Sequence, residues 1–446
     1  MRFLKKAFRN NNVLSLTGNV TAAGLGFLSF ALLARMLDKD SFGNLMIFIT
    51  LGTFFDLLRT GFLQTPLIKF SSVPDPEESK KVIGASWAFG VLITAAIGAL
   101  SLVFYFIFGD KITNEGFLTF LKFIWILNLA TLPFNFASWI LQSELKFNKI
   151  IFIRWMNLGT FVVALLLNYL VFHQGVDYVI YAFIACNIFA SAVCIMLGWT
   201  KVSYIRYAAI GKMKELFNFG KFSMSTMIGS NLLRSSDTFM IGALMSPAAV
   251  AIYSIPAKLF EVIEIPLRSF VATALPTFSR YINEGDKEGL RNLFEKASGM
   301  ITIMLVPCVA GCLFFAEYLV VLLGGEQYAE SANILRVFAA FALLMPLDRY
   351  TGVMLDVLNR PKNNFQKIAA MLVIKVGGNF VVIYSIGQVW AVAVTSIFTF
   401  AAGVVIGIWF LRKSLDFSIK RVLQRGYKES IYFAIRRLNK NYLPGN

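Results

Sequence analysis

The chain has 446 residues, of which 57% are hydrophobic and 15% are charged, and its mean hydropathy is +0.67. Soluble domains are about 45–50% apolar and about 25% charged, so a water-soluble fold could not bury this much apolar surface. The net charge of +17 would suit a nucleic-acid-binding protein. Its basic residues, however, cluster between apolar stretches, which argues against nucleic acid as a partner.

Apolar stretches long enough to cross a bilayer as α-helices, about 20 residues each, recur along the chain. The first six predicted spans lie near 13–36, 42–66, 82–108, 117–142, 150–172 and 177–199. The second six lie near 220–245, 248–275, 297–323, 331–356, 365–386 and 388–411. The predicted fold class is therefore all-α integral membrane, with about twelve transmembrane helices.

The distribution of Lys and Arg predicts the orientation of these spans. With both termini in the cytoplasm, about 31 basic residues fall in inside segments and about three fall outside, as the positive-inside rule requires. The inside set includes Arg360, Lys362 and Lys367, around the start of the eleventh span. The basic N-terminus resembles a signal peptide, but the apolar run that follows is too long, so we expect an uncleaved first span.

The two sets of six spans resemble each other at an offset of about 208 residues. An even number of spans per half gives a parallel repeat, with a substrate site between the halves near the midplane. The predicted division is an N-terminal six-helix lobe at 1–199, a basic cytoplasmic linker at 200–219 and a C-terminal six-helix lobe at 220–411. The basic tail at 412–446 is either an amphipathic helix on the anionic inner leaflet or disordered.

No metal site, catalytic residue or cofactor is predicted. Cys186, Cys194, Cys308 and Cys312 lie in apolar stretches without metal-site or disulfide spacing. His173 is the single histidine of the sequence, and one imidazole cannot form a metal centre alone.

Eight basic residues lie well inside the predicted spans, five or more residues from either end: Arg59, Lys122, Arg234, Lys258, Arg268, Arg336, Arg349 and Lys375. A base at the centre of a membrane helix costs about 3 kcal/mol on insertion scales, so each must pair, reach the interface or face water. Lys122 and Arg336 lie near the outer interface. Four others have a carboxylate one turn away, in the pairs Asp56–Arg59, Arg234–Asp237, Lys258–Glu261 and Glu264–Arg268.

The remaining two bases have no such partner. Asp348 and Arg349 are adjacent, so they point about 100° apart on a helix, and Lys375 has no acid within its span. The intramembrane bases are either inter-helix ion pairs or a cationic cavity for phosphate, because charge-assisted hydrogen bonds strengthen in a low dielectric. The predicted substrate-binding residues are Arg59, Arg234, Lys258, Arg268, Arg349 and Lys375. Pro256 with Pro266, and Gly377 with Gly378, are expected to interrupt their spans.

Four segments carry a resemblance to a known family. They are ARMLDKDSFGNLMIF (34–48), DTFMIGALMSPAAVAIYSIPAKL (237–259), LLGGEQYAESANILRVFA (322–339) and LNRPKNNF (358–365). In this order and spacing the chain resembles the polysaccharide flippase branch of the multidrug/oligosaccharidyl-lipid/polysaccharide exporter superfamily, close to the bacterial O-antigen flippases. Ala251 replaces the glycine that the family usually has before Tyr253.

The resemblance implies two six-helix lobes around a central cavity, in the bacterial cytoplasmic (inner) membrane. It implies flipping of a polyprenyl-diphosphate-linked oligosaccharide by alternating access, for surface polysaccharide biosynthesis. Membrane lipids and other polysaccharide assembly proteins are the further expected partners. Coupling to Na+, to H+ or to the membrane potential stays open, and Asp237 and Asn379 are the candidate ion-coupling residues.

Three alternatives remain. A cation-coupled multidrug antiporter would need carboxylates for cationic drugs, and drug-exporting relatives often carry an acidic residue in the first span, which 13–34 lacks. Another lipid flippase would share the span pattern. A membrane polysaccharide polymerase or ligase is disfavoured, since we expect such an enzyme to have a long outside loop and find no nucleotide-binding or nucleophile motif.

Overall fold

The computed structural model describes residues 11–72 and 75–440 of the chain. The basic N-terminal segment before Asn11 and the last six residues lie outside this range. Within it the regular structure is helical, without β-strands. This confirms the all-α class.

The helices occur in chain order with short connections. The first eight are Asn11–Met36 (α1), Lys39–Ser71 (α2), Pro76–Phe108 (α3), Glu115–Ser143 (α4), Phe147–Leu167 (α5), Val176–Met196 (α6), Ile210–Leu244 (α7) and Pro247–Asn283 (α8). The rest are Lys287–Phe314 (α9), Ala316–Gly324 (α10), Ala332–Ala342 (α11), Met345–Val357 (α12), Pro361–Ser385 (α13), Val389–Arg412 (α14) and Ile419–Lys440 (α15). Each of the twelve predicted spans coincides with one helix or with two successive helices.

Two predicted spans are divided. The span at 297–323 breaks at Phe315, between α9 and α10. The span at 331–356 bends by 46° between α11 and α12, where Pro346 enters the first turn of α12, the position at which proline is tolerated in a helix. The interruptions expected at Pro256, Pro266 and the Gly377–Gly378 pair are wrong, since α8 and α13 continue through them.

By length and hydropathy, eight helices among the described residues could cross a membrane, or nine when α11 and α12 count as one bent span. The described apolar part of α1, Thr21–Met36, is shorter than a full span. Helices α7 and α8 also fall outside that set. The protein is a multi-pass membrane protein.

The chain forms two compact units, Met1–Ala251 and Ile252–Asn446. In the first unit, α2 packs against α4 and α7. A cluster around Trp87 and Phe136, whose rings stack at 4.1 Å between centroids, forms a buried part of its core. Helices α2 and α7 approach closely at glycines: a Cβ on Gly61 would lie 2.7 Å from the Met224 Cα.

In the second unit, α14 packs against α11, α12 and α13. Phe341 of α11 and Phe400 of α14 stack at 5.0 Å between ring centroids. Gly403 of α14 meets the side chains of Met371 and Asp348, and a Cβ there would lie within 2.7 Å of both. Small residues on α14 therefore make room for polar and long side chains of α12 and α13.

The tail contains helix α15, which packs along α9. Of the two predicted states of the tail, the structure therefore has the helical one as far as Lys440. The predicted division into two six-helix lobes, with boundaries at residues 199 and 220, stays a prediction.

Candidate functional site

One face of α8 carries four ionisable side chains. Lys258, Glu261, Glu264 and Arg268 follow each other at spacings of three, three and four residues, which places them on one side of a helix. Lys258 Nζ lies 2.8 Å from Glu261 Oε2, and Arg268 Nη2 lies 3.3 Å from Glu264 Oε2. Both predicted pairings are therefore confirmed.

Glu264 also faces a second arginine. Arg349 Nη2 of α12 lies 3.9 Å from Glu264 Oε1, so one carboxylate lies between two guanidinium groups. We call Glu264, Arg268 and Arg349 the arginine cluster. The Glu264 side chain is 15% exposed, whereas those of Arg268 and Arg349 are 51% and 47% exposed. The cluster carries a net charge of +1, and about half of each arginine side chain is exposed on the protein surface.

Asp348, the residue before Arg349, points into the interior of the second unit. Lys367 Nζ of α13 donates hydrogen bonds of 2.8 Å to Asp348 Oδ1 and to its backbone carbonyl oxygen. The two side chains are only 3% and 6% exposed. The expectation that Asp348 and Arg349 point to different sides of the helix is therefore confirmed. The assignment of Lys367 to a basic inside segment stays a prediction, and the structure adds that its side chain is buried against Asp348.

Lys375 and Asn379 lie further along α13 and are both buried in the second unit, on the face that also carries Lys367 and Met371. The Thr395 hydroxyl of α14 faces two acceptors, Asn379 Oδ1 and the backbone oxygen of Val392. Amide and hydroxyl oxygens at this buried position are ligand types that suit a hard cation.

Arg59 is fully buried in the first unit. Its guanidinium pairs with Asp56 and donates to the Asn128 carbonyl at 2.6 Å and to the Thr131 hydroxyl at 2.8 Å. It thereby connects α2 with α4, and a longer contact of 3.4 Å reaches Thr94 of α3. The predicted Asp56–Arg59 pair is confirmed, and Nη1 and Nη2 of Arg59 donate to groups on helices of its own unit.

Arg234 and Asp237 lie one turn apart on α7, also in the first unit. Arg234 is exposed, whereas Asp237 is only 3% exposed. The role of Asp237 in ion coupling stays a prediction. The pairing of these two residues stays a prediction.

The described residues hold no group of three or more His, Cys, Asp and Glu side chains arranged to bind a metal. The chemistry that the arginine cluster offers is anion binding. Guanidinium groups donate paired hydrogen bonds to phosphate oxygens, and Glu264 holds two such groups near each other.

Sequence spacing found the α8 pairs but missed Arg349 as a partner of Glu264 and Lys367 as a partner of Asp348. These contacts join different helices, and the sequence contains no spacing that encodes them. The adjacency of Asp348 and Arg349 is the sequence feature that could have indicated these contacts. Two opposite charges that face different sides of a buried helix cannot pair with each other, so each needs a partner on another helix.

Comparison with known proteins gives the family. The sequence profile of the family described as "Polysaccharide biosynthesis protein" matches residues 32–333. The "Probable low-salt glycan biosynthesis flippase Agl15" of Haloferax volcanii is 20% identical over an alignment of 405 residues, which covers 88% of this chain and 81% of that protein.

Two solved structures share the fold. "Lipid II flippase MurJ, inward closed conformation" superposes with a TM-score of 0.74 at 14% identity, over 97% of this chain and 94% of that one. An inward-facing multidrug resistance MATE family transporter superposes with a TM-score of 0.76 at 14% identity, over 90% of this chain and 96% of that one. Since flippases and drug transporters both have this fold, the fold alone does not choose between them.

The profile match decides the family, because it covers more than half of the chain and includes α2 to α8, with the face that bears Lys258, Glu264 and Arg268. The chain belongs to the polysaccharide biosynthesis protein family, in its polysaccharide flippase branch.

Proposed function

We propose that the protein flips a polyprenyl-diphosphate-linked oligosaccharide across the bacterial cytoplasmic membrane, from the inner to the outer leaflet, for surface polysaccharide biosynthesis. Membership of the polysaccharide biosynthesis family and the flippase name of the Haloferax relative support this function. In the proposal, both termini lie in the cytoplasm and the protein carries out transport without bond-making chemistry.

The observation that carries the proposal is the arginine cluster. Arg268 lies in the middle of α8, and about half of its side chain is exposed. A guanidinium exposed to hydrocarbon would be costly, so this face fits an aqueous pathway better than lipid. Arg268 and Arg349 then offer donors to a diphosphate, while Glu264 holds the two cations close together and limits their repulsion.

The mechanism is alternating access. The diphosphate and the sugars enter the polar pathway while the polyprenyl tail stays in the bilayer, so only the charged head is transferred across the hydrocarbon region. Asp237 and the Asn379–Thr395 pair are the proposed cation sites through which an inward Na+ or H+ gradient would act. Binding of a cation at a buried polar site would favour one access state over the other.

A fluorescent polyprenyl-diphosphate oligosaccharide reconstituted with the protein in proteoliposomes provides the test. We expect wild type to flip it, and we expect Arg268→Gln and Arg349→Gln to slow flipping about ten-fold or more, the effect of losing one charge-assisted hydrogen bond of about 1.5 kcal/mol. Arg268→Lys, which keeps the charge, should retain part of the rate.

Arg412→Gln is the matched control, because it removes an exposed arginine at the end of α14 without touching the arginine cluster. Size-exclusion profiles must show that all variants are folded. Full flipping in both cluster variants would make the cluster a structural ion pair. Export of cationic dyes by wild type, without flipping of the diphosphate, would replace the proposal by the multidrug alternative.

A further inference from the structure

Helix α15 is attached to α9 by a buried carboxylate. Glu295 of α9 is fully buried, and each of its oxygens faces one arginine of α15. Arg421 Nε lies 3.2 Å from Oε1, and Arg425 Nη1 lies 3.2 Å from Oε2. Lys296 Nζ lies 2.5 Å from Glu429 Oε1 one turn further along. Five charged side chains thus form three ion pairs between α9 and α15.

The backbones of the two helices meet where they cross. A Cβ on Gly299 would lie 2.0 Å from the Val422 carbonyl oxygen, and one on Gly426 would lie 2.2 Å from the Gly299 carbonyl carbon. The buried Phe417 ring packs edge-on against Phe294 at 4.9 Å between centroids. This close packing fixes which face of α15 points away from α9.

The outward face of α15 carries two parallel stripes. Ile419, Leu423 and Tyr427 form an apolar stripe at spacings of four residues, and all three are 41–60% exposed. Lys420, Gln424 and Lys428 form an exposed polar stripe directly beside it. An apolar stripe next to a basic one is the pattern of a helix that lies in the membrane interface.

The C-terminal end of α14, close to α15 in the chain, indicates where the bilayer–water boundary lies. Trp409 is 57% exposed near this end, and Lys413 Nζ lies 3.8 Å from the centre of its indole ring. Exposed tryptophan and a nearby lysine typically mark the bilayer–water boundary. Only residues 413–418 connect α14 to α15, so Ile419 lies within about 20 Å of that boundary.

From these observations we propose that α15 lies in the headgroup region of the membrane and that its outward face binds anionic phospholipids. Ile419, Leu423 and Tyr427 insert among the acyl chains, while Lys420 and Lys428 contact the phosphates. Arg421 and Arg425 are engaged by Glu295, so they hold the helix to α9 and are not the main lipid contacts. The proposal does not depend on the transported substrate.

The depth of the helix is tested with nitroxide labels on the full chain, with the four cysteines replaced by alanine, in vesicles of phosphatidylcholine and phosphatidylglycerol. We expect a label at Leu423→Cys to be relaxed mainly by oxygen dissolved in the bilayer. A label at Gln424→Cys should be relaxed mainly by an aqueous nickel chelate. Equal exposure of both labels to the nickel chelate would overturn the proposal.

Lipid preference is tested by titrating fluorescent phosphatidylglycerol or phosphatidylcholine into the detergent-solubilised full-length protein. We expect wild type to prefer phosphatidylglycerol, and Lys420→Gln/Lys428→Gln to weaken that binding about 30-fold, or about five-fold for each lysine. The control Lys287→Gln/Lys362→Gln removes two exposed lysines from other helices and should bind like wild type. Equal losses in both double variants, or displacement of the lipid by inorganic pyrophosphate, would contradict a lipid site on α15.

Discussion

Lys367 and Asp348 bring opposite charges into the interior of the second unit, where water is largely excluded. The desolvation of two buried ions offsets most of their attraction, but removing one partner leaves an uncompensated charge. Gly352 of α12 and Gly407 of α14 lie against the Lys367 side chain, where added Cβ atoms would meet its Nζ at 3.2 Å and its Cδ at 3.3 Å. The pair therefore sits in a closely fitted space between three helices.

We predict that Lys367→Met lowers the free energy of unfolding by about 3–5 kcal/mol, because Asp348 is left buried without its cation. The double variant Lys367→Met/Asp348→Leu should recover most of that loss, since it removes both charges. Denaturant unfolding in detergent micelles, followed by circular dichroism, measures both values. Lys362→Met, at an exposed position of the same helix, is the control; equal destabilisation by the single and double variants would refute the argument.

At the scale of single residues, the sequence predicted contacts within a helix and missed those between helices. Three carboxylate–base pairs follow directly from spacings of three or four residues and are present. The sequence groups Lys367 with Arg360 and Lys362 in a basic inside segment and does not predict its partner Asp348. Its burial depends on where α12 and α14 pack, which local spacing does not encode.

The start of α2 is set by one aspartate. Asp38 precedes the helix, and its Oδ1 accepts hydrogen bonds of 3.0 Å from the backbone N–H groups of Asp40 and Ser41. The backbone N–H of Ser41 lowers the pKa of Asp38 below its ordinary value, because it favours the ionised carboxylate. The helix that carries Arg59 thus begins with a charged cap.

We predict that Asp38→Ala destabilises the protein by about 1 kcal/mol, the usual effect of losing an N-cap. The pKa of Asp38 is lower in the folded than in the unfolded protein, so the ionised carboxylate stabilises the fold. This contribution is fully present above the unfolded pKa of Asp38 and is lost as the pH falls through its folded pKa. Unfolding measured from neutral to acidic pH should show a smaller acid loss in Asp38→Asn, which keeps an acceptor but does not titrate. An unchanged acid profile in Asp38→Asn would exclude this contribution.

At the scale of helices, hydropathy gave the positions of all twelve helical segments, but the sequence did not correctly predict which of them are interrupted. The bend before α12 agrees with Pro346, whereas Phe315 has no proline or glycine beside it to signal the break between α9 and α10. Conversely, α8 remains one helix through Pro256, Pro266 and Pro276. A proline removes one backbone hydrogen bond, and neighbouring helices can compensate for that loss in a membrane protein.

For the whole molecule, composition was enough to predict a membrane protein, since no rearrangement of a soluble core could bury so many apolar residues. The order of helices is shared with solved transporters at only 14% identity, so the fold depends on the pattern of apolar stretches more than on particular side chains. The predicted substrate contacts, in contrast, depend on particular side chains. A family profile compares residue types along the chain, whereas a superposition compares only the backbone arrangement. The profile therefore says more about the function than the shared fold does.

The number of spans depends in part on α7 and α8, which are not among the eight helices that could cross a membrane by length and hydropathy. Helix α8 carries four ionisable residues between Lys258 and Arg268, and a polar face of this kind lowers mean hydropathy even where the helix crosses the membrane beside an aqueous pathway. The alternation of basic segments agrees with spanning, because the segment at 201–221 and the segment at 280–296 are both basic and would both lie inside if two helices separate them.

We therefore predict that Arg206 and Glu284 lie on the cytoplasmic side and that Ser246, between α7 and α8, lies on the outer side. Single cysteines at these exposed positions, in a chain whose native cysteines are replaced by alanine, are treated with a membrane-impermeant maleimide in right-side-out vesicles. Ser246→Cys should react directly, whereas Arg206→Cys and Glu284→Cys should react only after permeabilisation. If α7 and α8 did not cross, Ser246→Cys would be protected like the other two, and the protein would have two spans fewer than its positive-inside pattern indicates.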